Sequence, residues 1–330
     1  MKKPTLLHLV IAAGLCLQTA SAADKYWDLN GADEGSGASP VGTWDTTAAN
    51  WSTDAAGTLN AIWADGDFAI FSAGTDAAGP YTVTLGAART ASGLTVEEGS
   101  VILAGPALTV GANKVTIKPG AKLSISGSSA LVGAAGGLIE LDGGTMENRV
   151  TGNAGSFVSG LFTINVTAAG GTLSFPTVNI LNIVQPTPAP GTTISGPGGI
   201  TKVGAGVLAI ASTCTYAGTT TINEGELRIR TSADRLPVTT PVVVNSPGIL
   251  NLNGVSQKIG SLSGNGNVGT GGGTLTIDGS ASTTFDGALK NIANAGASGV
   301  TTGNGRLIKA GSGTITFNGL NDIRGSVTLN

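Results

Sequence analysis

Histidine, cysteine and charge are all scarce in these 330 residues. The sole histidine, His8, lies with Cys16 in a segment, residues 1–22, that reads as a secretory signal peptide. Lys2 and Lys3 form its charged end, Leu6 to Leu17 its apolar core, and Ala20-Ser21-Ala22 a small-residue cleavage site. Leu15 precedes Cys16 where lipoprotein processing favours a small residue, so lipidation is not expected. Cleavage near Ala22 leaves a chain with no histidine, which excludes His-based triads, His-ligated zinc and His acid–base catalysis by inventory. It also leaves Cys214 alone, so no internal disulfide forms. Cys214 is expected as a small buried residue in a strand turn, with a free thiol or a pairing to another molecule as the alternatives. No later stretch reaches about 18 apolar residues, the length of a spanning helix.

Charge is equally thin. Charged residues make up 11% of the chain, against about 25% in an average globular protein. Removing Lys2 and Lys3 leaves 15 basic against 20 acidic residues, a net charge of −5. That balance argues against nucleic acid, whose phosphates call for a basic face. Aromatic residues are few after Tyr81. The opening, residues 23–81, holds all four tryptophans, Trp27, Trp44, Trp51 and Trp63. Two roles fit it: a patch that stacks on sugar rings, or a cap over the open end of a solenoid, which would otherwise expose apolar core and unpaired strand groups.

What is abundant is glycine, 53 residues without a three-residue period, in a chain that is 41% hydrophobic. This composition excludes collagen and disfavours disorder. From Thr82 to about Gly144 short runs alternate apolar and polar residues and end at glycine, as in Val101-Ile-Leu-Ala-Gly and Lys122-Leu-Ser-Ile-Ser-Gly. They predict period-two strands with Val, Leu and Ile inward and Thr, Ser and Lys outward. Pro186, Pro188 and Pro190 predict a loop near 185–191 within the less regular second half of residues 82–195.

A self-similarity at one fixed offset runs through the C-terminal part. Lys202, Gly204, Gly206, Gly218, Thr221 and Asn223 recur as Lys309, Gly311, Gly313, Gly325, Thr328 and Asn330, and the apolar positions between them keep phase without a gap. Such a pattern marks a repeat architecture.

The order Gly-Gly-Ile-Thr-Lys-Val-Gly-Ala-Gly-Val-Leu from Gly198, then Tyr-Ala-Gly-Thr-Thr-Thr-Ile-Asn-Glu-Gly-Glu-Leu-Arg-Ile from Tyr216, resembles the autotransporter-associated beta-strand repeat, also called the passenger-associated transport repeat. Two copies fall in residues 196–330, at 199–230 and 306–330, the second incomplete, with Gly248-Ile-Leu-Asn-Leu-Asn-Gly resembling the spacer. Cys214 and Ile323 depart from the pattern, which expects a polar residue and an aromatic there. The run Tyr26-Trp-Asp-Leu-Asn-Gly is similar to the start common in this family. The resemblance implies an all-β, right-handed parallel β-helix with an aromatic-rich N-terminal cap, secreted or displayed at the bacterial surface. Export machinery of the outer membrane, or a downstream barrel, and surface glycans are the partners it implies.

Few residues suggest chemistry. Glu140 and Asp142 lie two apart, placing both carboxylates on one strand face, where beta-helical enzymes act on polysaccharides or hold calcium. A solvated strand face opposite Ile139 and Leu141 is the favoured reading. Lys202 and Lys309 with Glu224 and Glu226 suggest a lyase base and metal site, but a catalytic residue repeated in each unit is improbable, and Lys202 is expected to face solvent and discourage edge pairing. The run Gly264 to Gly273 lacks the Lys-Ser/Thr of a phosphate loop and the Asp of a calcium nonapeptide, so a turn between coils is expected. No catalytic, cofactor-binding or metal residue is assigned, and a structural stalk without enzymatic activity is expected, with a glycan-binding adhesin or a carbohydrate-active β-helix enzyme as alternatives. About 300 mature residues at roughly 20 per coil and about 4.8 Å between coils predict a rod on the order of 65 Å long.

Overall fold

The computed structural model describes residues 22–126, 131–149, 158–159, 162–176, 180–183, 193–291 and 303–330. The signal-peptide segment and the loop near 185–191 lie outside them. Among the described residues there is no helix, and the strands pair in parallel everywhere except at the N-terminal end. The architecture is a parallel β-helix.

Most turns of the chain lay down three short strands, one on each of three faces. Turns differ in length: the one that carries Thr193 from Thr163 is half as long again as the one that carries Ser100 from Pro80. The first face runs from Asp24–Trp27 through Phe68–Phe71 and Gly93–Val96 to Thr193–Ser195. The second is a ten-stranded sheet from Gly42–Trp44 to Ser261–Ser263. A bridge from Gly264 to Phe285 prolongs it into the pair Thr283–Phe285 and Ile315–Phe317. The third begins as a four-stranded sheet and continues as a seven-stranded one ending at Asn321–Asp322. The second face with its extension spans on the order of 55 Å at the usual strand spacing. The first face reaches further, by the strands Trp51–Ser52 and Asn60–Ala61 at one end and Val327–Leu329 at the other.

The alternation seen in the sequence sets which side chains stack. Leu94, Val115, Ile139, Ile164 and Ile194 form one inward ladder on the first face, all at most 1% exposed. On the second face Tyr81, Val101, Leu123, Met146, Leu173, Lys202, Ile222 and Val244 form another. Like-on-like stacking buries these residues against their neighbours one coil away, so the core is a continuous column.

Where the first face loses regular strands above Thr193–Ser195, single bonds carry it. Thr215 N donates to Ile194 O, Cys214 N to Arg235 O, and Asp234 N to Ser256 O. Gln257, 1% exposed, supplies the rest: its side-chain oxygen accepts from Leu236 N at 3.0 Å and its amide donates to Leu236 O at 3.1 Å. A side-chain amide thus stands in for a missing ladder pair. Regular pairing resumes in the four-stranded sheet that starts at Gln257–Ile259.

At the N-terminal end the pairing reverses direction. Trp51–Ser52 runs antiparallel to Asp24–Trp27, and the two-residue strand Asn60–Ala61 runs antiparallel to it in turn. Behind this hairpin the four tryptophans fill the end of the column, none more than 1% exposed. Trp27 meets Trp51 edge-on at 5.1 Å between centroids, and Trp44 meets Trp63 at 4.7 Å. Trp27 Nε1 donates to Pro40 O and Trp63 Nε1 to Asp65. Edge-to-face packing of large rings buries the most area per residue in so short a segment.

Candidate functional site

The two repeat copies converge on one device. Lys202 occupies an inward position of Ile200–Val203, between Leu173 below and Ile222 above, and is fully buried. The expectation of a solvent-facing lysine is therefore corrected. The strand ends one residue later, so the long side chain folds back toward the corner and finds carbonyls there, of which Val203 O also accepts from Phe175 N. Nζ donates to Val203 O at 3.1 Å, Gly204 O at 2.7 Å and Glu224 O at 3.0 Å, and lies 5.4 Å from the centre of the Phe175 ring. Three acceptors match the three N–H groups of an ammonium. Burial pulls its pKa down from 10.5 to about 8, against the pull of the Glu224 and Glu226 carboxylates.

Lys309 repeats the arrangement. It sits between Ile277 and Leu329, 9% exposed, and donates to the carbonyls of Ala310 and Gly311. The glycine two residues after each lysine explains its own recurrence. Gly204 has φ +79°, and a Cβ there would collide with Phe175 O; Gly311 has φ +69°. Only glycine takes that turn freely and presents its carbonyl to the ammonium.

Each copy is one coil plus the strand that closes it: Ile200 lies beneath Thr220 and Leu307 beneath Val327, at the same separation along the chain in both. The offset from Lys202 to Lys309 is not a whole number of coils. The lysine strand of the first copy lies on the second face and that of the second copy, Arg306–Ala310, on the first. The repeat thus specifies a coil rather than a face.

No catalytic constellation forms around these lysines. Glu224 accepts from Gly204 N at 3.0 Å, while Glu226 is buried in a two-pronged pair with Arg228 and accepts from Asn251 at 2.7 Å. Glu140 and Asp142 also have separate partners. Lys114 Nζ lies 2.6 Å from Glu140, and Thr167 Oγ1 donates to Asp142 at 2.7 Å. Cys214 is 3% exposed, and burial pushes its thiol up to about 11. Gly264 to Gly273 is two turns flanking the strand Asn267–Gly269, where a single turn was expected. Among the described residues no three His, Cys, Asp or Glu side chains gather as a metal cluster. No helix among them is long and apolar enough to cross a membrane.

The fold defines a class: a capped parallel β-helix whose recurring element is a buried lysine clasp. The Passenger-associated-transport-repeat family matches residues 200–229 and 307–330, the two copies that carry the clasps, so the chain carries autotransporter-associated repeats. It is also similar to the Adhesin BmaC autotransporter of Brucella suis biovar 1 (strain 1330), 35% identical over 176 residues. That match covers 51% of this chain and 5% of the relative, so the chain spans a small fraction of the length of the protein it resembles. No solved structure matches.

Proposed function

We propose that this chain is a passenger segment displayed at the bacterial surface, exported through the leader in residues 1–22, whose task is to hold a stiff, protease-resistant stalk. The observation that carries this reading is the unbroken inward ladder of the second face, which spends its side chains on stacking, with each candidate acid tied to a structural partner. A downstream outer-membrane barrel or other export machinery is its partner in display. Residues 23–81 serve as the cap of the stalk, and no enzymatic activity is assigned. The experiment is display in a Gram-negative host: intact cells should bind antibody against residues 23–330, and external protease should leave a large resistant fragment. A segment retained inside the cells, or degraded without a resistant core, overturns the reading.

An adhesive role is the second reading, favoured by the similarity to an adhesin. Burial of all four tryptophans weighs against ring stacking on sugars at the cap. A contact surface would lie on the outward strand faces, and binding of the isolated segment to glycan arrays or host cells tests it.

A further inference from the structure

Three loops fold over the outer side of the cap at Asp28. They are residues 28–37, 52–58 and 72–76, tied together by Gly35 N donating to Ala56 O, Gly74 N to Ala55 O, and Ser36 N and Gly37 N to the two oxygens of Asp76. Asp28 is 1% exposed. One of its oxygens accepts from Asn30 N at 3.0 Å; the other, Oδ2, is buried and has no hydrogen-bond partner. Asn30 Oδ1 and Ser36 Oγ, in the same loop, are likewise buried oxygens without a partner. Asp54 and Asp76 are close enough to act electrostatically on Asp28, and none of the three carboxylates is ion-paired among the described residues.

Orphaned buried oxygens are costly, about 1–3 kcal/mol each and more for a charged group. Several in one short loop, beside three carboxylates none of which is ion-paired among the described residues although Asp54 and Asp76 accept hydrogen bonds, call for a positive partner. A proton on Asp28 would supply a donor for one oxygen and leave the amide and hydroxyl oxygens as they are. A hard cation seated in this loop would serve carboxylate, amide and hydroxyl oxygens alike. Calcium takes six to eight oxygens from carboxylates, amides, carbonyls and water in flexible geometry, whereas magnesium demands a tighter octahedron. Zinc and other transition metals are poorly served by a site without nitrogen or sulfur donors.

We propose that the N-terminal cap carries a calcium site in which Asp28 Oδ2, Asn30 Oδ1 and Ser36 Oγ are protein ligands, with Asp54 and Asp76 supplying field. With so few charged ligands its affinity falls in the range of extracellular modules, a Kd of about 10⁻⁴–10⁻³ M. Its role is to pin the three loops over the tryptophan cluster once the chain has left the cell.

Calorimetric titration of residues 23–330 with calcium chloride, alongside thermal melts in calcium, magnesium or chelator, tests this. Saturable calcium binding and a calcium-dependent rise in Tm are expected, with a much smaller response to magnesium. Asp28→Asn should weaken binding at least about tenfold, and Asn30→Ala and Ser36→Ala, which keep Asp28 and the fold, should weaken it by about threefold or more. Glu140→Gln, far along the stack, should bind as the wild type does. Absence of any heat or Tm change up to about 10 mM calcium, well above the expected Kd, overturns the proposal, as does binding that Asn30→Ala and Ser36→Ala leave unchanged.

Discussion

The ammonium of Lys202 lies 3.0 Å from the carbonyl oxygen of Glu224, a residue one coil further along the stack. The same ammonium holds two carbonyls of its own coil, so it clasps consecutive turns at a corner where the strands have ended.

Lys202→Met keeps much of the volume and removes the donors. By the cost of leaving buried acceptors unpaired, the loss is about 1–3 kcal/mol, and Lys202→Ala adds a cavity of a few kcal/mol more. Denaturant unfolding with limited proteolysis around residues 200–230 measures it. A methionine variant more stable than the wild type would mean that the apolar ladder, not the clasp, sets stability here.

The clasp also has a pH signature. The folded-state pKa of about 8 lies below the ordinary 10.5, so between these values the unfolded chain binds more protons than the folded one. Stability from Lys202 therefore rises as pH climbs through that window, by roughly 3 kcal/mol at most. Subtracting the stability profile of Lys202→Met from that of the wild type should expose this slope, and a flat difference from pH 8 to 10.5 would refute it.

Whole coils are separable units. Lys122 stacks directly on Ser100, so deleting Ser100 to Ala121 removes one strand from each face and brings Leu123 and Ile125 over Tyr81 and Val83. This variant should keep its strand signal in circular dichroism and shorten by about 4.8 Å in small-angle scattering. Extending the deletion to Lys122 reverses the inward and outward positions and should cause aggregation or loss of strand. Equal behaviour of the two would contradict the stacking.

In the cap, Trp51 touches Trp27, Trp44, Trp63 and Phe71. Trp51→Ala should cost about 3–5 kcal/mol. The loss should be local, read as faster hydrogen exchange in residues 24–71 with little change beyond residue 130. Uniform loss along the chain would mean that the cap is not a separable stabilising unit.

The ladders of the core were legible because period two is a local property: Val101, Leu103 and Leu123 fall inward by counting along their own strands. Lys202 was not, since the same counting also places it inward and only a long side chain reaching an end-of-strand corner reconciles that position with its charge. One of its acceptors, Glu224 O, comes from the next coil and is distant in sequence. Gln257 was hidden for a similar reason, because its partner Leu236 belongs to the coil below. The repeat itself was visible, but not that its copies sit on different faces, because a face is fixed by the summed lengths of the loops between them. Asn267–Gly269 shows how little side-chain signal a strand needs when its neighbours on the sheet supply the register.

The reversal of strand direction at Asn60–Ala61 also bears on crowding. Parallel coils are natural templates for one another, and a second molecule approaching end-on would extend them into a fibre if the edge it met were long and parallel. On the first face the edge it meets is a two-residue strand antiparallel to its neighbour, out of step with an arriving coil, and on the other two faces the end strands are the short Gly42–Trp44 and Arg89–Thr90. End-on pairing between copies is thus disfavoured on the first face and limited to two or three residues on each of the others.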